Sequence, residues 1–136
     1  MDIENKFRFE VYPTEKVYSE IIEWWGERDF PILPLSFLPK ECLITHTDKY
    51  WTHAIFLFKT DSEICWTAFP VASPFVDKGD NEGGLEALFK FASEYAKSEG
   101  FKYVFTTSPL PKVQKSLLNE GYILGDKDVN HYLKIL

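Results

Sequence analysis

Gly83 and Gly84 close the stretch Asp80-Asn81-Glu82-Gly83-Gly84-Leu85, which separates the apolar run Cys65–Val71 from the amphipathic run Leu85–Lys97. Glycine lacks a Cβ, so backbone N–H groups there can approach a bound group closely, and the first turn of a helix leaves its N–H donors unpaired. A strand, a glycine turn and a helix start in this order suit a phosphate. The same pair also reads as a flexible turn. For proton transfer, His53 in the run Trp51–Thr60 is the side chain matched to neutral pH, with a hydrogen-bonded strand histidine as its structural alternative. His46 and His131 have no sequence-local partner, and no histidine pair has metal-ligand spacing, so no metal is expected. Cys65 reads as an inert strand thiol, and Ser108 lacks the strand-turn-helix glycines of a serine nucleophile.

The elements that would position these groups follow from periodicity. Phe7, Phe9 and Val11 alternate with Arg8 and Glu10 as a half-buried strand. Thr14 is a plausible cap for a helix carrying Val17, Ile21, Ile22 and Trp25 on one face and ending near Gly26. Pro31, Pro34 and Pro39 interrupt an apolar segment that predicts a short helical turn packed on the core. Glu41–Thr47, Trp51–Thr60 and Glu63–Val71 predict an antiparallel meander with tight connections at Asp48-Lys49 and Asp61-Ser62. Pro70 removes a ladder donor, so the third of these strands should bulge or leave its neighbour there. Leu85, Leu88, Phe89, Ala92 and Ala96 predict a helix closed by Gly100, followed by the buried strand Tyr103–Phe105 and hence parallel pairing across the crossover. Ser108-Pro109-Leu110-Pro111 opens a last helix that stops at Gly121, and Tyr122–Leu124 with His131–Leu136 predict terminal strands.

Composition bounds the function. The 136 residues suit a single domain, and 45% hydrophobic with 17% aromatic residues argue for a packed core. A net charge of −6 repels a nucleic-acid backbone, so no nucleic-acid partner is expected. The two cysteines, Cys42 and Cys65, are too few for a disulfide framework and read as reduced core residues. Neither an apolar leader nor a membrane-length run is present, which predicts a cytoplasmic protein without a membrane partner.

The order strand, helix, short helix, meander, helix, strand, helix, terminal strands resembles the GCN5-related N-acetyltransferase superfamily over nearly the whole chain. Gly83–Val104 is similar to that family's cofactor-binding helix and following strand, and Lys115-Ser116-Leu117-Leu118-Asn119-Glu120-Gly121-Tyr122 is similar to its last helix. The resemblance implies an α/β (α+β) fold: a mixed, mostly antiparallel central sheet flanked by helices and splayed between the fourth and fifth strands. It implies a single acetyltransferase domain over residues 1–136. It also implies acetyl-CoA as a substrate, lying in the V with its pantetheine along the fourth strand and its pyrophosphate on the loop before the helix. On this reading Phe69, Val71 and Ala72 offer free backbone, Gly83, Gly84 and Lys78 meet the phosphates, and Ser108 stands where the family often has an Asn near the pantetheine.

The chain also departs from the family pattern. Asp80, Gly83 and Leu85 align with the pyrophosphate motif, and only its first glycine is kept; Asp77, Asp80 and Glu82 add negative charge there. The fourth strand lacks the usual carboxylate, and Leu117 aligns with the usual Tyr, leaving His53 as the candidate base. Trp24, Trp25, Phe30 and Pro31–Pro39 occupy the region that resembles the family's acceptor-binding helices. The expected function is acetyl transfer to an amine of an unidentified acceptor. The alternatives are a catalytically degenerate member serving as an acyl-CoA-binding or protein-interaction module, and a homodimer built through its terminal strand edge.

Overall fold

The computed structural model describes residues 6–108 and 110–136. The elements are β1 (Arg8–Pro13), α1 (Thr14–Glu27), a 3-10 turn (Leu35–Phe37), β2 (Glu41–His46), β3 (Trp51–Phe58), β4 (Ile64–Ala72), α2 (Lys78–Asn81), α3 (Gly84–Ser98), β5 (Tyr103–Phe105) and α4 (Pro111–Asn119). They build one five-stranded sheet in the order β1-β2-β3-β4-β5, antiparallel through β4, with β5 parallel to β4 as the crossover through α3 requires. This is the mixed, mostly antiparallel sheet expected from the sequence.

The core lies on both faces of the sheet. On one face Leu88, Phe89, Ala92 and Ala96 of α3, with Val113 and Leu117 of α4, pack on Leu43, Ile55, Leu57 and Cys65. On the other, Val17, Ile21, Trp24 and Trp25 of α1 pack on Cys42, Ile44, Ala54, Phe56 and Val71. Neighbouring residues of β2 and β3 therefore serve opposite layers, and both strands are buried nearly end to end. Trp24 and Trp25, 1% and 3% exposed, are core residues rather than part of an acceptor surface.

Three local expectations are corrected. Thr14 does not cap α1: it is the helix's first residue, Pro13 takes the cap position, and the Thr14 Oγ1 hydroxyl is buried without a partner among the described residues. The 3-10 turn buries none of its own residues; its flanking Leu33 and Leu38 make the core contact instead. Tyr122–Leu124 and His131–Leu136 form no strands. The reason lies at the end of α4, where Gly121 turns with φ 86° and the Tyr122 N–H donates to the Leu117 carbonyl at 3.1 Å. The Tyr122 ring meets Phe89 edge-on at 6.0 Å, so the first apolar residue of the run closes the helix instead of starting a strand.

Candidate functional site

β4 pairs with β5 only through Ile64, Cys65 and Trp66, which face Tyr103, Val104 and Phe105. From Thr67 onward β4 has no strand on its β5 side among the described residues, and the sheet splays open. On its β3 side the register passes from Phe56–Ala68 to Ala54–Val71, so Phe69 and Pro70 together oppose Ile55 as a bulge. Phe69 takes φ 58°, the left-handed conformation that a bulky side chain rarely adopts. Pro70 thus sits where its missing N–H removes nothing from the ladder.

Beyond β4 the chain is tied down by a cross-sheet cation. Arg28, just past α1, donates from Nε to the Ala72 carbonyl at 2.6 Å and from Nη2 to the Ser73 carbonyl at 3.3 Å. Ser73 also donates its N–H to Thr52 at 2.8 Å. Of the residues expected to offer free backbone, Ala72 therefore has its carbonyl engaged, and the Val71 side chain is sealed in the α1 layer.

The chain then makes the short helix α2 and reaches Gly83, whose φ of 80° and ψ of −5° turn it into α3. Gly84 is the first residue of α3 and is buried against His53 of β3. A Cβ built on Gly84 would fall 2.3 Å from His53 Cε1, 2.6 Å from His53 Nδ1 and 3.1 Å from Phe7 Cε1. The two glycines thus do different work: Gly83 supplies a backbone angle, and Gly84 supplies room for the helix to sit on an imidazole.

His53 is 3% exposed, and its Nδ1 is buried without a hydrogen-bond partner among the described residues. Burial, then the charges of Lys112 and Arg28, push its pKa down to about 3, so the ring is neutral near pH 7. The same two cations thus reach the imidazole on which Gly84 rests. Sequence reading misses them, because Arg28 and Lys112 lie far along the chain from the glycine turn. Lys78 is exposed in α2. Ser108 is half-buried; its Oγ accepts the Leu110 N–H at 3.1 Å and its carbonyl accepts from Gln114 at 2.8 Å, so it shapes the entry to α4.

On the α1 side of the opening lies a run of aromatic rings. Trp66 stacks on Phe105 at 5.0 Å and 24°, and Trp66 is the cross-strand neighbour of Phe58. Phe58 meets Phe69 at 6.3 Å, and Phe69 meets Phe37 at 6.4 Å. Its sequence signal was the alternation of Trp66 with buried neighbours on β4, left without a helix to cover it.

No family model matches this sequence, and no curated protein does. Solved structures do. An aminoglycoside acetyltransferase from an uncultured soil metagenomic sample, solved with sisomicin, superposes with a TM-score of 0.68 at 13% identity, over 99% of this chain and 100% of that one. A probable acetyltransferase gives 0.69 at 12% identity, over 95% and 98%. The ribosomal-protein-alanine N-acetyltransferase of Brucella melitensis biovar Abortus 2308 gives 0.64 at 11% identity, over 96% and 99%. The fold is that of the GCN5-related N-acetyltransferases. Within this acetyltransferase fold the splay beside β4, the bulge at Phe69-Pro70 and the N-terminus of α3 converge on one opening. Leu117, aligned with the family's Tyr, is buried in the core, and β4 carries no carboxylate between Ile64 and Ala72.

Proposed function

We propose that the protein binds acetyl-CoA in the opening between β4 and β5 and transfers its acetyl group to an amine. The observation that carries this reading is the coincidence of unpaired β4 backbone after Trp66 with the left-handed Gly83 and the start of α3. Unpaired strand backbone accepts an extended amide-bearing chain as an added strand, and the first N–H groups of α3 attract phosphate. The charges of Arg28 and Lys112, felt at His53 beneath Gly84, favour an anion near the start of α3. The reaction is attack of the amine nitrogen on the thioester carbonyl carbon, with cleavage of the C–S bond, departure of the thiolate and passage of the amine proton to water.

In this reading orientation supplies most of the acceleration, because no carboxylate on β4 and no tyrosine at position 117 is present to move protons. His53 holds up the α3 N-terminus from below. His53→Ala distinguishes that role from the role of a base: loss of a support weakens acetyl-CoA binding, whereas loss of a base removes a limb of the pH–rate profile. The missing acid and base favour a second reading, a protein that binds acyl-CoA without turnover.

Calorimetric titration with acetyl-CoA, with desulfo-CoA and ATP as controls, tests the site. Micromolar binding that requires the CoA scaffold supports it; absence of binding at millimolar ligand overturns both readings. Release of free thiol in the presence of amines then separates transfer from binding alone.

A further inference from the structure

The two faces of the β4–β5 opening are chemically unlike. The α3 face presents a helix N-terminus, and the α1 face presents rings: Phe37 is 42% exposed, Phe69 36%, Trp66 41% and Phe105 48%. Trp66 stacks on Phe105, Phe58, its cross-strand neighbour, meets Phe69 edge-on, and Phe69 meets Phe37 at a tilt, so the run reaches from β5 to the 3-10 turn. Taking the acetyl-transfer reading as its basis, we infer that the acceptor is a primary amine carried on an aromatic body, an arylalkylamine, seated on Phe69 and Trp66.

Three observations converge on this. The aromatic run borders the opening on the face opposite the α3 N-terminus, so an acceptor lying on it would meet a thioester entering from the other side. Ring faces attract a cation and stack on a flat apolar body, while the chain's net charge of −6 favours a cationic partner over an anionic one. A polyhydroxylated amine would instead desolvate its hydroxyls against rings that offer them no hydrogen bonds. Finally, Phe69 keeps a bulky side chain at φ 58°, where glycine would be relaxed. The backbone strain places the ring at the mouth of the opening, between Phe58 and Phe37.

The test titrates phenethylamine, tryptamine and the aminoglycoside kanamycin into the protein, alone and with desulfo-CoA present, and repeats the series with Phe69→Gly and Trp66→Ala. The aromatic amines are expected to bind at least tenfold more tightly than kanamycin. Both variants should lose about tenfold of that affinity; Trp66→Ala should keep the affinity for acetyl-CoA, and Phe69→Gly should melt no lower than the parent. Equal or tighter binding of kanamycin, or unchanged phenethylamine affinity in both variants, overturns the proposal. The titration without desulfo-CoA reads the aromatic site independently. If acetyl-CoA fails to bind while phenethylamine binds and the variants lose it, the amine site stands and the acetyl-transfer reading falls.

Discussion

The α carbon of Gly84 rests on the imidazole of His53 so closely that a methyl group there would lie 2.3 Å from Cε1. A ring that is 3% exposed and overlain by a helix has no room to yield. Gly84→Ala should therefore destabilise the fold by ~1–3 kcal/mol through overpacking. Urea denaturation of Gly84→Ala, His53→Ala and the double variant checks the pairing: the double variant should recover part of the loss. Strict additivity would mean that the contact carries no energy.

Gly83 answers to a different constraint. Its left-handed φ of 80° admits Asn at small cost, whereas the position faces the proposed phosphate site. Gly83→Glu should abolish acetyl-CoA binding while Gly83→Asn retains the fold and most of the affinity. Calorimetry with both variants separates backbone strain from charge and bulk; unchanged affinity in Gly83→Glu would sink the site.

The buried His53 makes stability depend on acid. Its folded-state pKa of about 3 lies below the ordinary histidine value of 6.5, so between these values the unfolded chain binds a proton that the native ring does not. Stability should accordingly fall as pH drops from about 6.5 towards 3, with a slope of up to ~1.4 kcal/mol per pH unit from this group. His53→Asn should flatten that slope in urea melts run at stepped pH. An identical slope in the variant would mean that other groups govern the acid limb.

Lys112 is exposed near the start of α4, yet its charge is felt at His53 beneath Gly84. Lys112→Glu should weaken acetyl-CoA binding about tenfold, or ~1.4 kcal/mol, and more so at low salt. Lys97→Glu, the same charge change in the last turn of α3, should leave affinity nearly unaltered. Equal effects from the two would point to net charge alone.

Arg28 holds the end of β4 from the opposite layer through the carbonyls of Ala72 and Ser73. Arg28→Met keeps an apolar stem but leaves both acceptors without the guanidinium. A loss of ~1–3 kcal/mol is expected, with faster hydrogen exchange at the Ser73 N–H. Unchanged exchange there would show that the Thr52 carbonyl suffices to hold the strand end.

Much of this architecture was legible in the residues because burial obeys periodicity. Leu88, Phe89, Ala92 and Ala96 follow the helical spacing and all lie in the core, and Pro70 marks the bulge because proline cannot donate to a ladder. The alternation in His131–Leu136 misled for the same reason: it describes which side chains could share a face, and it is silent on whether another strand is there to pair. The candidate site was half legible. Gly83 and Gly84 announced a turn, but the partners that give them meaning stand elsewhere in the chain, His53 some thirty positions before Gly84 and Lys112 nearly as far after it. Trp24 and Trp25 carry no mark in sequence that separates a packed aromatic from a ligand-facing one; only the layer covering them decides.

Cys42 and Cys65, both fully buried, bring a practical benefit to all of these measurements. Burial pushes the Cys42 thiol up to about 12 and raises that of Cys65 as well, so neither presents a thiolate to solvent at neutral pH. A thiol-reactive dye should be blind to the native protein. In an acetyl-transfer assay its colour would count released cofactor thiol against a dark background, and in denaturant the same dye would report the two sulfurs as they emerge, timing the collapse of the two layers that conceal them.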